Sequence, residues 1–159
     1  MSRSKVYKDI KDRLLEQLPE LEYVDLQKGQ FGNKAQEYPI PLPAILIEFR
    51  PVTWSESTGG QLGDATISLY YYLDLVTDSF NNSEAENETI EILDNLDAMY
   101  DIMNGFAGDD FNPLNRLTDA IVEYKDKYVC YRTDFQTTLF QDKPATQETA
   151  PKPEPKFKL

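Results

Sequence analysis

The chain has 159 residues, 40% of them apolar, which is enough for a single domain with a buried core. Net charge is −12, and because residues 143–159 hold four lysines and two glutamates, residues 1–142 carry −14, which argues against tight binding of nucleic-acid phosphates. The chain has no histidine, which excludes histidine-activated nucleophiles and nearly all zinc sites. Its single cysteine, Cys130, excludes an internal disulfide. No apolar run is long enough to cross a bilayer.

The first predicted element is an amphipathic helix over residues 4–18, ended by Pro19. Its apolar side chains recur at helical spacing: Val6, Tyr7, Ile10, Leu14, Leu15 and Leu18. A short strand begins at Tyr23, and Gly29 and Gly32 then indicate a turn or loop. The proline-rich residues 35–43 predict an extended connector that cannot join a sheet interior.

Two strong strands follow this connector. Residues 44–50 are short and rich in branched side chains, which is typical of a central strand. Residues 65–75 alternate, so one face carries Ile67, Leu69, Tyr71, Leu73 and Leu75, and the other carries Thr66, Ser68, Tyr70, Tyr72 and Asp74. The polar, glycine-rich residues 51–64 between the strands are predicted to form a long exposed loop at the tip of a hairpin.

A second helix is predicted from Ser83, where Ser83 and Glu86 fit a capping box, to a stop at Gly105. Its predicted apolar face consists of Ile92, Leu93, Leu96, Met99, Tyr100 and Met103. Residues 117–140 are then predicted to form a final hairpin that turns at residues 125–127.

The resulting order, α-β-β-β-α-β-β, predicts an α+β fold with one mostly antiparallel sheet of four to five strands and both helices on one face. The domain covers residues 1–142. Residues 143–159 are rich in proline, lysine and threonine, and they are predicted to form an extended C-terminal tail.

Three groups of residues were weighed as chemical sites. The stretch TGGQLGD, residues 58–64, lacks the Gly-Lys-Ser/Thr of a phosphate loop. The loop carrying Asp109, Asp110 and Asn112 does not match calcium-loop spacing. The carboxylates of the second helix lie mostly away from its apolar face. A hairpin tip, a solvated loop and an acidic helix surface are the favoured interpretations, so we predict no catalytic residue, no metal site and no cofactor.

The second face of the sheet is rich in tyrosine, and the two helices are expected to cover only the first face. Loops of the chain itself or a neighbouring subunit could cover these rings. We favour the subunit interface, because exposed aromatic patches are typical of interfaces. The candidate interface residues are Tyr70, Tyr72, Trp54 and Tyr128, and Phe157 and Leu159 are candidate anchors of the tail to a neighbouring protein.

The block LPAILIEFRPVTWSESTGGQLGDATISLYYYLDL resembles the central block of the tail terminator proteins of long-tailed bacteriophages, the group of the lambda-like minor tail protein U. The shared pattern is a Pro-Ala-apolar strand, a polar loop with Gly and Glu, and an alternating strand with an aliphatic-aromatic end. The flanking helices and terminal hairpin agree, so the resemblance covers residues 4–140. The tail after residue 142 departs from the pattern, and the acidic helix and following loop are longer.

The resemblance implies a homo-oligomer, a hexameric ring, at the head–tail junction of a virion that is assembled in the host cytoplasm. Its implied partners are the tail-tube protein and neck or head-completion proteins, with DNA passing through the lumen without specific binding and no membrane contact. Two alternatives stay open. One is another neck ring, such as a head-completion or stopper protein, and the other is a small cellular α+β module that binds a protein partner.

Overall fold

The structure, a computed structural model, describes residues 3–32, 40–76, 80–124 and 127–142. Its two helices are α1 (Arg3–Gln17) and α2 (Glu86–Met103). Its strands are β1 (Tyr23–Leu26), β2 (Ala44–Phe49), β3 (Thr53–Ser57), β4 (Gly60–Asp74), β5 (Asn115–Tyr124) and β6 (Tyr128–Asp142). The predicted α+β class is confirmed, and the predicted tail, residues 143–159, lies outside the described residues.

The six strands form one mixed, mostly antiparallel sheet in the order β1-β2-β4-β6-β5. Only the β1–β2 pair is parallel, and β3 pairs with the first residues of β4. In the register, Tyr71 of β4 lies between Ile45 of β2 and Tyr131 of β6, so matching side chains of three strands share one face. Strands β1 and β5 are the two edges of this sheet.

Both helices pack against the first face, as predicted. Helix α1 buries Val6, Ile10 and Leu14, and α2 buries Met99 and Met103. These side chains join one cluster with Ile67, Leu69, Tyr71, Leu73, Val129, Phe135 and Leu139, which confirms the alternation read from β4 and β6. Leu15 and Leu93 were expected on the apolar helix faces, but they are 42% and 50% exposed because neither packs against the sheet.

The sheet has six strands among the described residues, so the prediction of four to five is corrected. The predicted loop over residues 51–64 is wrong, because β3 and the start of β4 form a hairpin there. Pro51 has no N–H and interrupts the strand after Arg50, whose N–H still donates to the Thr66 carbonyl at 3.0 Å. Gly59, with φ 98°, then closes the two-residue turn into β4, a conformation that glycine adopts without strain.

This hairpin extends the sheet beyond the part that the helices cover. We call β3, residues 60–64 of β4 and residues 138–142 of β6 the arm; β4 pairs here with β3 on one side and with β6 on the other, and Phe111 of the loop before β5 bridges to Leu139. Most side chains of β3 are exposed. Trp54 is half-buried across Gly63, where an added Cβ would come within 2.7 Å of the indole ring. The arm is therefore tightly packed where Trp54 lies over Gly63, whereas most side chains of β3 face solvent.

The start of α2 also differs from its prediction. Ala85, not Ser83, precedes the helix and makes no side-chain cap bond, and the Glu86 carboxylate accepts instead from the N–H of Asn82 at 2.8 Å. The predicted capping box is therefore wrong. The predicted stop is confirmed, because Gly105 has φ 84° immediately after the helix.

Candidate functional site on the second sheet face

The second face of the sheet holds a small aromatic cluster. Tyr72 is 4% exposed and Tyr128 is 8% exposed, and both pack with Ala44, Leu46 and Cys130. In the register, Tyr72 lies directly between Ala44 and Cys130, whose small side chains leave room for its ring. The strands thus place a large ring between two small neighbours.

Phe31, on the short 3-10 turn Gln30–Gly32, covers this cluster. Its ring stacks on that of Tyr72 with 3.8 Å between centroids and 7° between planes. Tyr128 meets both rings edge-on, with centroids 4.9 Å from Phe31 and 5.3 Å from Tyr72. Edge-on aromatic pairs such as the two made by Tyr128 contribute about 0.5–1.5 kcal/mol each beyond area burial. The role of Phe31 was not predicted from the sequence. Its only distinguishing feature there is a large aromatic side chain between two glycines, Gly29 and Gly32.

Hydrogen bonds to Asp25 hold the loop that carries Phe31. One carboxylate oxygen accepts from the N–H of Leu26 at 2.7 Å, and the other accepts from Tyr23, Lys28 and Gln30 at 3.1, 3.2 and 3.3 Å. Gln30 also donates to the Leu26 carbonyl at 2.7 Å. The loop is therefore fastened to the end of β1 before it reaches the aromatic cluster.

Replacing Asp25 with asparagine is expected to lower the free energy of unfolding by about 1 kcal/mol at pH 7. Partial burial raises the pKa of Asp25, but hydrogen bonds from Leu26, Lys28 and Tyr23 outweigh that effect and hold the pKa below its usual value. A depressed folded pKa stabilises the fold above the unfolded pKa, about 3.9, and this contribution is lost as the pH falls through the folded pKa. Urea unfolding between pH 7 and pH 3 measures both variants, and a difference that does not shrink as the pH falls would contradict this account.

Burial dominates the acid–base behaviour of the cluster. It raises the pKa of the Cys130 thiol and of the Tyr128 hydroxyl to about 12 each, and it raises the pKa of Tyr72 still further. All three groups are therefore protonated at neutral pH. This face offers aromatic contact surface and no activated nucleophile.

Beside the cluster lies an open groove of about 410 Å³, which we call the aromatic groove. Its lining includes Gln27, Phe31, Tyr70, Tyr72, Val122 and Glu123. Tyr70 is half-buried at its wall and donates to the Glu48 carboxylate at 3.2 Å, which also accepts from Arg50 at 3.0 Å. The groove combines accessible ring faces with an acidic side chain on its rim.

The structure brings three of the predicted interface residues, Tyr70, Tyr72 and Tyr128, to this face and places Trp54 on the arm. Loops of the chain itself cover Tyr72 and Tyr128, as in the alternative that was left open from the sequence. Tyr70 and Trp54 are half-buried and stay accessible to a neighbour. Phe157 and Leu159 lie outside the described residues. The subunit interface remains a prediction, for which Tyr70 is the residue best exposed on this face.

Two of the three candidate chemical sites have structural roles. TGGQLGD contributes the turn and first strand residues of the arm. Asp109 accepts from Lys5 at 2.9 Å, and Asp110 lies 3.9 Å from the same amine, so both carboxylates face a cation of α1. In the described part of the chain, no three acidic, cysteine or histidine side chains are grouped as they would be to hold a metal ion.

Within residues 3–32, 40–76, 80–124 and 127–142, neither helix combines the length and apolar character that spanning a membrane requires. No protein-family model and no curated protein matches this sequence.

Proposed function

We propose that this chain is a structural virion protein of the tail terminator type. Six copies form a ring at the head–tail junction, where the ring ends the tail tube and joins it to neck or head-completion proteins. It assembles in the host cytoplasm, and its action is assembly rather than catalysis. The observation that carries this proposal is the arm, a three-stranded extension of the sheet in which most side chains of β3 are exposed.

A ring needs a heterologous interface, in which one patch meets a different patch of the next copy. The arm supplies one such patch, where Leu62 and Phe140 lie side by side on one face and Leu62 is 37% exposed. Strand β5 supplies another, because it is an edge of the sheet whose outer backbone groups pair with no strand among the described residues. Leu117, Ile121 and Val122 of this strand are 51%, 44% and 42% exposed, and an exposed apolar edge is a site of strand-to-strand association.

Charge supports the proposed passage of DNA. Residues 1–142 carry −14, and a lumen lined by such a surface repels the DNA backbone instead of holding it. DNA therefore slides through the ring without specific binding.

The aromatic groove favours a second candidate function, a module that binds one protein partner. Flat aromatic surfaces with a polar rim recognise extended peptides. A third possibility is another neck ring, such as a head-completion or stopper protein. It would have the same ring geometry as the leading proposal, but it would bind head-completion proteins instead of the tail tube.

Mass photometry and negative-stain microscopy of the full chain test the proposal, alone and with tail-tube protein. We expect six-fold particles with the mass of six 18.3 kDa chains, formed alone or when tail-tube protein is added. A chain that stays monomeric at all concentrations and binds neither tail-tube nor neck proteins would rule the ring out. Six-fold particles that bind only neck proteins would favour the other neck ring.

A further inference from the structure

We propose that the C-terminal residues 143–159 dock in the aromatic groove of their own chain, with Pro153 and Pro155 lying against the partly exposed rings of Tyr70 and Phe31. The occupant is thus a segment of the same polypeptide. This inference concerns the single chain, and it holds whether or not the chain forms a ring.

The chemistry of the groove matches that segment. Proline-rich segments already favour an extended polyproline helix, so they lose little entropy when they lie in an aromatic-lined groove. Phe31, Tyr70 and Tyr72 supply the aromatic lining, and Glu123 is the only charged residue that lines the groove in the described chain. The segment PKPEPK carries Lys152 and Lys156 around Glu154, so its net charge is positive and complements the Glu123 carboxylate.

The C-terminal segment is also long enough to reach the aromatic groove from the end of β6. Strand β6 ends at Asp142, which pairs with Gly60 at the far end of β4, whereas Tyr70 and Tyr72 pair with Arg132 and Cys130. The groove therefore lies ten to twelve strand residues back from Asp142, or about 34–41 Å at ~3.4 Å per residue.

A polyproline helix rises ~3.1 Å per residue, so a tail that runs back along the sheet reaches the groove after about 11–13 residues. That distance brings Pro153 and Pro155 to the accessible part of the groove, beside Tyr70 and Phe31. It leaves Phe157 and Leu159 beyond the groove, where they remain available to a neighbouring protein. The chain thus has the reach to occupy its own groove without a second copy.

Disulfide trapping in the full-length chain tests the proposal. The double variant Val122→Cys/Pro153→Cys places one thiol in the groove and one in the proline segment. The matched control is Leu117→Cys/Pro153→Cys, since Leu117 lies on the same strand, is 51% exposed and does not line the groove. The native Cys130 stays in both variants, because it is 0% exposed.

Under mild oxidation of a dilute sample, we expect the intrachain disulfide to form about tenfold faster in the Val122 variant than in the Leu117 variant, because docking raises the effective concentration of the thiols. Non-reducing gels and peptide mass spectrometry distinguish intrachain from interchain products. Equal rates in the two variants would overturn docking in the groove. Predominantly interchain disulfides in the Val122 variant would overturn the same-chain assignment and identify a second copy as the source.

Discussion

Replacing Tyr72 with serine is expected to lower the free energy of unfolding by about 3–4 kcal/mol, as for other large buried aromatic side chains. The ring is 4% exposed, and it stacks on Phe31 and packs against Tyr128. Serine would leave a cavity between the sheet and the loop, and it would place a hydroxyl among apolar neighbours. Urea unfolding followed by circular dichroism measures the loss.

Tyr70→Ser is the matched control, because the two residues lie on the same strand and the same face. Tyr70 is half-buried, and its hydroxyl bonds to Glu48 in a partly exposed site, so we expect a loss of only about 1 kcal/mol. Equal stability losses for the two variants would show that Tyr72 is no more a core residue than Tyr70.

Replacing Gly60 with valine is expected to abolish ring formation while leaving the helix-covered core folded. Gly60 faces β6 so closely that an added Cβ would clash with the backbone carbonyl of Gln141. Because that neighbour is backbone, it cannot move aside as a flexible side chain can, and the strands must separate at the tip of the arm. Mass photometry reports the ring, and far-ultraviolet circular dichroism reports the retained fold.

Glu56→Gln serves as the control for the arm. Glu56 lies on β3 in the same arm, and its carboxylate accepts from the Gln61 amide at 2.7 Å, a bond that glutamine can still accept. This variant should form rings as the unmodified chain does. A Gly60→Val chain that assembles normally would show that the arm takes no part in the proposed interface, and it would remove the main support for the ring.

Local patterns were sufficient to predict most of the elements. The apolar spacing of Val6, Ile10 and Leu14 predicted α1, and the alternation around Tyr71 predicted which side of β4 the helices cover. These predictions succeeded because the periodicity of a helix or a strand involves residues that are close together in the chain, so the spacing of apolar residues reveals it. The hairpin of β3 and the start of β4 escaped prediction because most side chains of β3 are polar and exposed, so no apolar alternation marks it.

By itself, the sequence determined the α+β class, both helices and the burial of one sheet face, since each depends on periodic apolar residues within a single segment. Only the tertiary structure decided what covers the second face. Tyr72 is buried because Phe31, more than 40 residues earlier in the chain, is held over it by bonds to Asp25. No local pattern separates Tyr72 from Tyr70, and their different exposures arise from which long-range neighbours the fold brings to each ring.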